Sequence, residues 1–148
     1  MKFEEQFGQL VDMLRVVAAD AEAQIAVHPT FVVVADEIAL NYDDALQVAL
    51  GHGLADVVGA ELCEAMVAIE RTFASFSGPG QPHLWSLDGL RTAPIWERQR
   101  HAARDVLARL RIEASPLRLN GITYVRCDPP PPTDPDSDVT FRKEPDAR

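Results

Sequence analysis

Leu62-Cys63-Glu64-Ala65-Met66-Val67-Ala68-Ile69-Glu70-Arg71-Thr72-Phe73-Ala74-Ser75-Phe76 decides the fold class of this chain. Its large apolar residues Leu62, Met66, Ile69, Phe73 and Phe76 recur at spacings of four, three, four and three. That rhythm is the stripe of a helix, running from about Val58, that buries one face and turns its charges outward. Ser77-Gly78-Pro79-Gly80 stops it. The same rhythm joins Phe3, Phe7, Leu10, Leu14, Val17, Ala21 and Ile25, which predicts one helix from Phe3 to about Val27, ended by Pro29.

Between these stripes the signals are mixed. Phe31-Val32-Val33-Val34 is β-prone, and residues 31–35 read as extended or irregular. Ala35 to Leu40 looks helical with Asp36 as its N-cap, and Asp43 or Asp44 opens a further short helix to Leu50 that Gly51 and Gly53 would stop. Further on, Ser86 caps a short turn of helix through Leu90, and Thr92 with Pro94 marks the start of a last helix. Trp96, Ala103, Val106, Leu107 and Leu110 form the buried face of that helix, with Arg98, Arg100, Arg104, Arg109 and Arg111 assigned to the opposite one.

Pro116-Leu117-Arg118-Leu119 and Ile122-Thr123-Tyr124-Val125 flank Asn120-Gly121, a dipeptide suited to a two-residue hairpin turn. Beyond Cys127, six of the chain's 11 prolines stand among aspartates with little to bury, the composition of a disordered segment. The expectation is therefore a mainly α protein of about four helices in a single domain, residues 1–127, closed by a β-hairpin at 116–127 and followed by an acidic, Pro-rich disordered tail at 128–148.

With 148 residues and 47% apolar composition, the chain has material for one ordinary core. Met-Lys-Phe-Glu-Glu does not resemble a secretion signal, and the longest apolar run, Phe31 to Ala35, is too short to cross a bilayer, so a cytoplasmic protein with no membrane partner is expected. Cys63 and Cys127 form no CxxC pair and read as free thiols. Charge is lopsided: residues 1–76 hold 13 acids against three bases, residues 77–127 are net +4, and the last 21 are net −3. The overall −9 argues against a nucleic-acid partner, with the arginine-bearing helix as the one feature pointing the other way.

No catalytic motif emerges from the residues, no cofactor is implied, and the chain reads as a non-enzyme. His28, His52, His83 and His101 include no i, i+3 or i, i+4 pair, as a zinc site on a helix would favour, and His28 and His52 suit helix C-termini. Gly51-His52-Gly53 begins like a dinucleotide loop, but the third glycine, Gly59, comes too late. No serine stands in a Gly-x-Ser-x-Gly or Ser-x-x-Lys setting. Asp36, Glu37, Asp43 and Asp44 have three readings: helix caps matched to the macrodipole, a patch that docks a basic partner, or a hard-cation site. The run lacks the spacing and central glycine of a calcium loop, and no metal is assigned. Trp85 and Trp96 read as core or as interface anchors, and the arginine face as ion pairs with the acidic half or as an anion site.

Phe31 to Leu40, Ser77-Gly78, Leu84-Trp85, and Trp96-Glu97-Arg98-Gln99-Arg100 with Ala102 or Ala103 together resemble small acidic helical bacterial proteins, among them immunity proteins of contact-dependent or polymorphic toxin systems. The resemblance spans residues 3–112 and implies a protein that binds and blocks a cognate toxin, with no contact residue carried over. The residues and the resemblance converge on a binding protein whose acidic half, through Asp36, Glu37, Asp43 and Asp44, engages a basic protein partner such as a toxin domain. A helical subunit or homodimer is the alternative, and a small hydrolase using the Asp36–Asp44 acids the third.

Overall fold

In the computed structural model, which describes residues 2–119, 122 and 124, the chain is helical, with no strand among those residues. Eight α-helices and one 3₁₀ turn follow in order: α1 (Phe3–Gln6), α2 (Gly8–Ala18), α3 (Ala21–Val27), α4 (Val34–Gly51), α5 (Leu54–Val58), α6 (Ala60–Ser75), the 3₁₀ turn (Pro82–Trp85), α7 (Leu87–Thr92) and α8 (Pro94–Leu110). Helix α2 is the hub. Every residue from Leu10 to Ala18 is buried, because α4 and α8 pack on it from different sides and α6 bridges those two.

The N-terminal stripe keeps its phase but not its continuity. Phe7, Leu10, Leu14 and Val17 are buried and Phe3, Ala21 and Ile25 half-buried, yet the helix breaks at Phe7 and again at Ala19-Asp20. The second break has a clear cause. Asp20 is in extended conformation and accepts from the Ala23 N–H at 2.9 Å, capping a new helix in the middle of the stripe. The carbonyls that α2 leaves behind are then claimed by side chains: Gln24 Nε2 donates to Val16 and Val17 at 3.0 and 3.1 Å, and Arg104 Nε donates to Ala18 at 2.7 Å.

Arg100, assigned to the exposed arginine face, lies buried instead. Its guanidinium donates to Gln24 Oε1 at 3.0 Å and to the Leu90 carbonyl, and meets Glu97 at 3.1 Å, joining α8 to α3 and α7. Arg111 does not share the face either, since it adopts the left-handed conformation (φ 59°) that ends α8. On α6, Tyr42 Oη donates to the Met66 carbonyl at 2.7 Å and Gln99 Nε2 to the Ile69 carbonyl at 2.8 Å, so α4 and α8 are both bonded to it. Burial pushes the Tyr42 hydroxyl well above the ordinary tyrosine range, which keeps it a neutral donor.

Three further expectations are corrected. Residues 34–51 form one continuous helix whose N-cap is Val33, so Asp36 sits in the first turn and Asp43 and Asp44 fall mid-helix, none of them capping. The helices outnumber the expected four, although α2, α4, α6 and α8 are the long ones. The hairpin expected at 116–127 is not supported: Ile122 N–H donates to the Leu119 carbonyl at 3.3 Å, but no strand or ladder is found among the described residues of this segment. A lone two-stranded ribbon is marginal in water, and the flanks use their side chains on the helices instead. Leu119 and Ile122 pack on the core, and Tyr124 Oη accepts from Asn41 Nδ2 at 2.9 Å. Asn120-Gly121, Cys127 and the tail 128–148 lie outside the described residues; Cys63 is a buried free thiol.

Aromatic rings hold the far side. Trp96 is fully buried, donates its indole N–H to Leu84 O at 2.8 Å, and meets Phe73, Phe76 and Trp85 at centroid distances of 5.3–5.8 Å. Gly89 lets α7 approach this corner, since a Cβ there would overlap the His83 carbonyl oxygen and stand 2.9 Å from Leu84 Cα. Both neighbours are backbone and cannot swing away. Gly89→Ala should therefore destabilise by about 1–3 kcal/mol, read as a lowered urea midpoint at unchanged m-value. Arg100→Met should cost roughly 1–3 kcal/mol for each of the two buried acceptors it orphans, while Arg98→Met on the exposed side should stay within about 0.5 kcal/mol.

Candidate protein-docking surface

Helix α4 carries four acids and no base, and no lysine or arginine stands anywhere between Arg15 and Arg71. All four acids lie on its outward side. Asp36 and Asp44 are exposed, Glu37 and Asp43 half-buried. They share a centre: Asp36 and Glu37 precede Leu40 by four and three residues, and Asp43 and Asp44 follow it by three and four, which are the helix-neighbour spacings. Leu40 is itself 58% exposed, an apolar side chain ringed by carboxylates. Asp36 and Asp43 are about 10.5 Å apart along the axis at 1.5 Å per residue.

Ion pairing elsewhere leaves this ring bare. Glu4 pairs with Arg15, Glu22 with Arg91, Glu61 with Arg109, Glu64 with Arg71, and Glu97 with Arg100, at 2.7–3.2 Å. Among the described residues no cation lies within 4 Å of Asp36, Glu37, Asp43 or Asp44. Asp43 accepts from Gln47 Nε2 at 3.2 Å, a neutral bond that leaves its charge in place. Beside the ring, burial raises the Tyr124 hydroxyl above its ordinary range and Glu37 adds to the effect, against the Asn41 hydrogen bond.

Leu40 also forms one wall of a groove of about 510 Å³ lined by Asp36, Ala39, Ser77, Gly78, Pro82 and Trp85. Across Trp85 lies a second groove of about 350 Å³ between Ile25, the Pro29–Val34 segment and Leu87. The indole they share is fixed in place: its N–H donates to the Phe76 carbonyl at 2.8 Å, it stacks on Phe76 at 4.8 Å and it stands edge-on to Trp96 at 5.8 Å. Exposed Val33 and Leu87 extend the apolar surface. The four acids singled out from the sequence thus share one face, and the structure adds Leu40, Pro82 and Trp85.

Other chemistry is thinner. Among the described residues no three His, Cys, Asp or Glu side chains converge as a cation site. Of the histidines, His28 bonds the Gln24 carbonyl through Nδ1 at 2.6 Å at the end of α3. No helix among the described residues is long and apolar enough to cross a membrane. A polar cleft of about 190 Å³ gathers Glu4, Asp12, Arg15 and Arg118, but Arg15 is engaged by the Glu113 carbonyl at 2.8 Å, Glu4 at 3.2 Å and Asp12 at 3.8 Å. No family model, curated protein or solved structure matches this chain.

The polar cleft does carry a pH signature. Burial raises the Asp12 carboxyl above its ordinary value, with Arg15 opposing. A carboxyl whose folded pKa exceeds its unfolded one binds its proton more tightly when folded, so its ionised form costs stability that is recovered as pH falls through the raised value. Asp12→Asn should accordingly raise the Tm at neutral pH. The two melting curves should converge as the pH approaches the ordinary value of 3.8.

Proposed function

We propose that this protein is a non-enzymatic cytoplasmic binder that neutralises a basic protein partner through the outward face of α4, in the manner of an immunity protein acting on a basic toxin domain. The observation that carries the reading is the clustering of Asp36, Glu37, Asp43 and Asp44 around exposed Leu40 on one helix face, with no cation within 4 Å among the described residues, where Glu4, Asp12, Glu22, Glu61, Glu64, Glu97 and Asp105 each pair with an arginine. Leaving four like charges together on one helix costs stability through repulsion, and a basic surface would offset it. Exposed carboxylates also steer a cationic partner into encounter. A second copy of this chain on the same face would set carboxylates against carboxylates, which favours a basic partner over a homodimer there.

The test is co-expression with the product of the adjacent gene, followed by purification of the pair and measurement of association. A stable complex and relief of that product's toxicity are expected. Its on-rate should fall about tenfold or more as salt rises from about 0.01 M, where the screening length is about 30 Å, to about 0.15 M, where it is about 8 Å. Reversing Asp36, Glu37, Asp43 and Asp44 to lysine should abolish the steering while far-UV circular dichroism stays unchanged. A complex indifferent to salt and to the reversal, or no complex at all, would overturn the reading.

A further inference from the structure

We infer that the element this surface receives is an amphipathic basic helix, with an apolar ridge seated along Leu40 and Trp85 and lysine or arginine side chains reaching the carboxylates around Leu40; the inference rests on the basic-partner reading above. Its first ground is that the acids do not stand on a merely solvated face. They encircle an exposed leucine that walls an apolar groove, and the groove's other wall is an indole already immobilised by a hydrogen bond and two ring contacts. A rigid aromatic wall beside exposed aliphatic groups is the make-up of an interface hot spot, because little side-chain freedom remains to be lost on binding.

The second ground is spacing. Two carboxylate pairs lie about 10.5 Å apart with the apolar contact midway between them. An occupant must match all three points on one face. A partner helix does so with cations at i and i+7 and an apolar residue at i+3 or i+4. An extended strand covers that distance in about three residues, which puts its two end side chains on opposite faces. A polyproline II segment brings i and i+3 to one side about 9.3 Å apart but has no residue between them on that side to meet Leu40. Strand addition is also without a template, since no strand edge exists among the described residues.

The test uses the full chain and four labelled peptides of about 15 residues, long enough to form a helix on binding. One is a leucine/lysine amphipathic helix; the second replaces its leucines with alanine, the third its lysines with glutamine, and the fourth has a central proline. Binding is followed by anisotropy and by Trp85 fluorescence, Trp96 being fully buried. The leucine/lysine peptide should bind roughly tenfold more tightly than each of the others, and Leu40→Glu or Leu87→Glu in the protein should remove most of that advantage. Both substituted residues are exposed, so folding is spared, and unchanged melting curves would verify it.

Equal binding of the alanine/lysine peptide would overturn the groove inference and leave the charge reading standing. Equal binding of the leucine/glutamine peptide would overturn the charge reading. Equal binding of the proline peptide would make the occupant extended, and failure of all four to bind would remove the helix. A dimer of this chain abolished by Leu40→Glu would assign the groove to a second copy and overturn the inference as well.

Discussion

The fold depends on how the carbonyl end of α2 is closed. A helix that stops inside the core leaves its last carbonyls without partners, and each would be costly if buried unpaired. Here Val16 accepts from both the Ala19 N–H and Gln24, Gln24 also takes Val17, and Arg104 takes Ala18. Gln24 is in turn fixed by Arg100, whose charge also sits favourably near the α2 C-terminus and is offset by Glu97. A desolvated guanidinium is expensive unless its hydrogen bonds are satisfied, and this one has acceptors from α3, α7 and its own helix. Because the closure holds, the chain can turn at Ala19-Asp20 and send α3 toward α7. That turn in turn places Ile25 and the Pro29–Val34 segment opposite Leu87, forming the second groove.

These long-range closures explain which parts of the fold the sequence disclosed. Apolar periodicity reports which side of a helix faces inward, and it placed Phe7, Leu10, Leu14, Val17, Met66, Ile69 and Phe73 correctly as buried. It does not report breaks. Asp20 falls between stripe positions, so the pattern runs through it undisturbed, and the side chains that make the break tolerable come from up to 86 residues away. Arg100 was misplaced by its charge rather than by its spacing, for it lies four residues after Trp96 and three before Ala103, inside the buried stripe. The hairpin shows the converse limit. Asn-Gly favours a turn, but flanking segments become strands only when pairing competes successfully with other contacts, and here Leu119, Ile122 and Tyr124 contact helices.

The candidate site was legible in its chemistry and hidden in its geometry. Four acids in nine residues are visible at once, yet reading Asp36 and Asp43 or Asp44 as caps split α4 in two and destroyed the register that puts them round Leu40. Continuity of α4 restores it, because residues seven apart return to nearly the same side. Trp85 and Pro82 had no local signal tying them to Leu40, since the loop after α6 delivers them from more than 40 residues downstream.

The two components of the surface differ in what they contribute. Exposed ion pairs are typically worth about 0.2–1 kcal/mol each and weaken with salt, so four carboxylates alone would give fast encounter and short residence. Burying one leucine-sized side chain contributes about 1.5–3 kcal/mol and is indifferent to screening. If a basic partner docks here, carboxylates arranged around Leu40 would divide the work, with charge setting how often the partner arrives and the groove setting how long it stays. The aromatic corner makes this division possible: Trp96 and Phe76 hold Trp85 as part of the core, and the same indole forms the wall of both grooves. For such a partner, a substitution that loosens the corner, even from Gly89 beneath it, would act on residence time while leaving the steering field untouched.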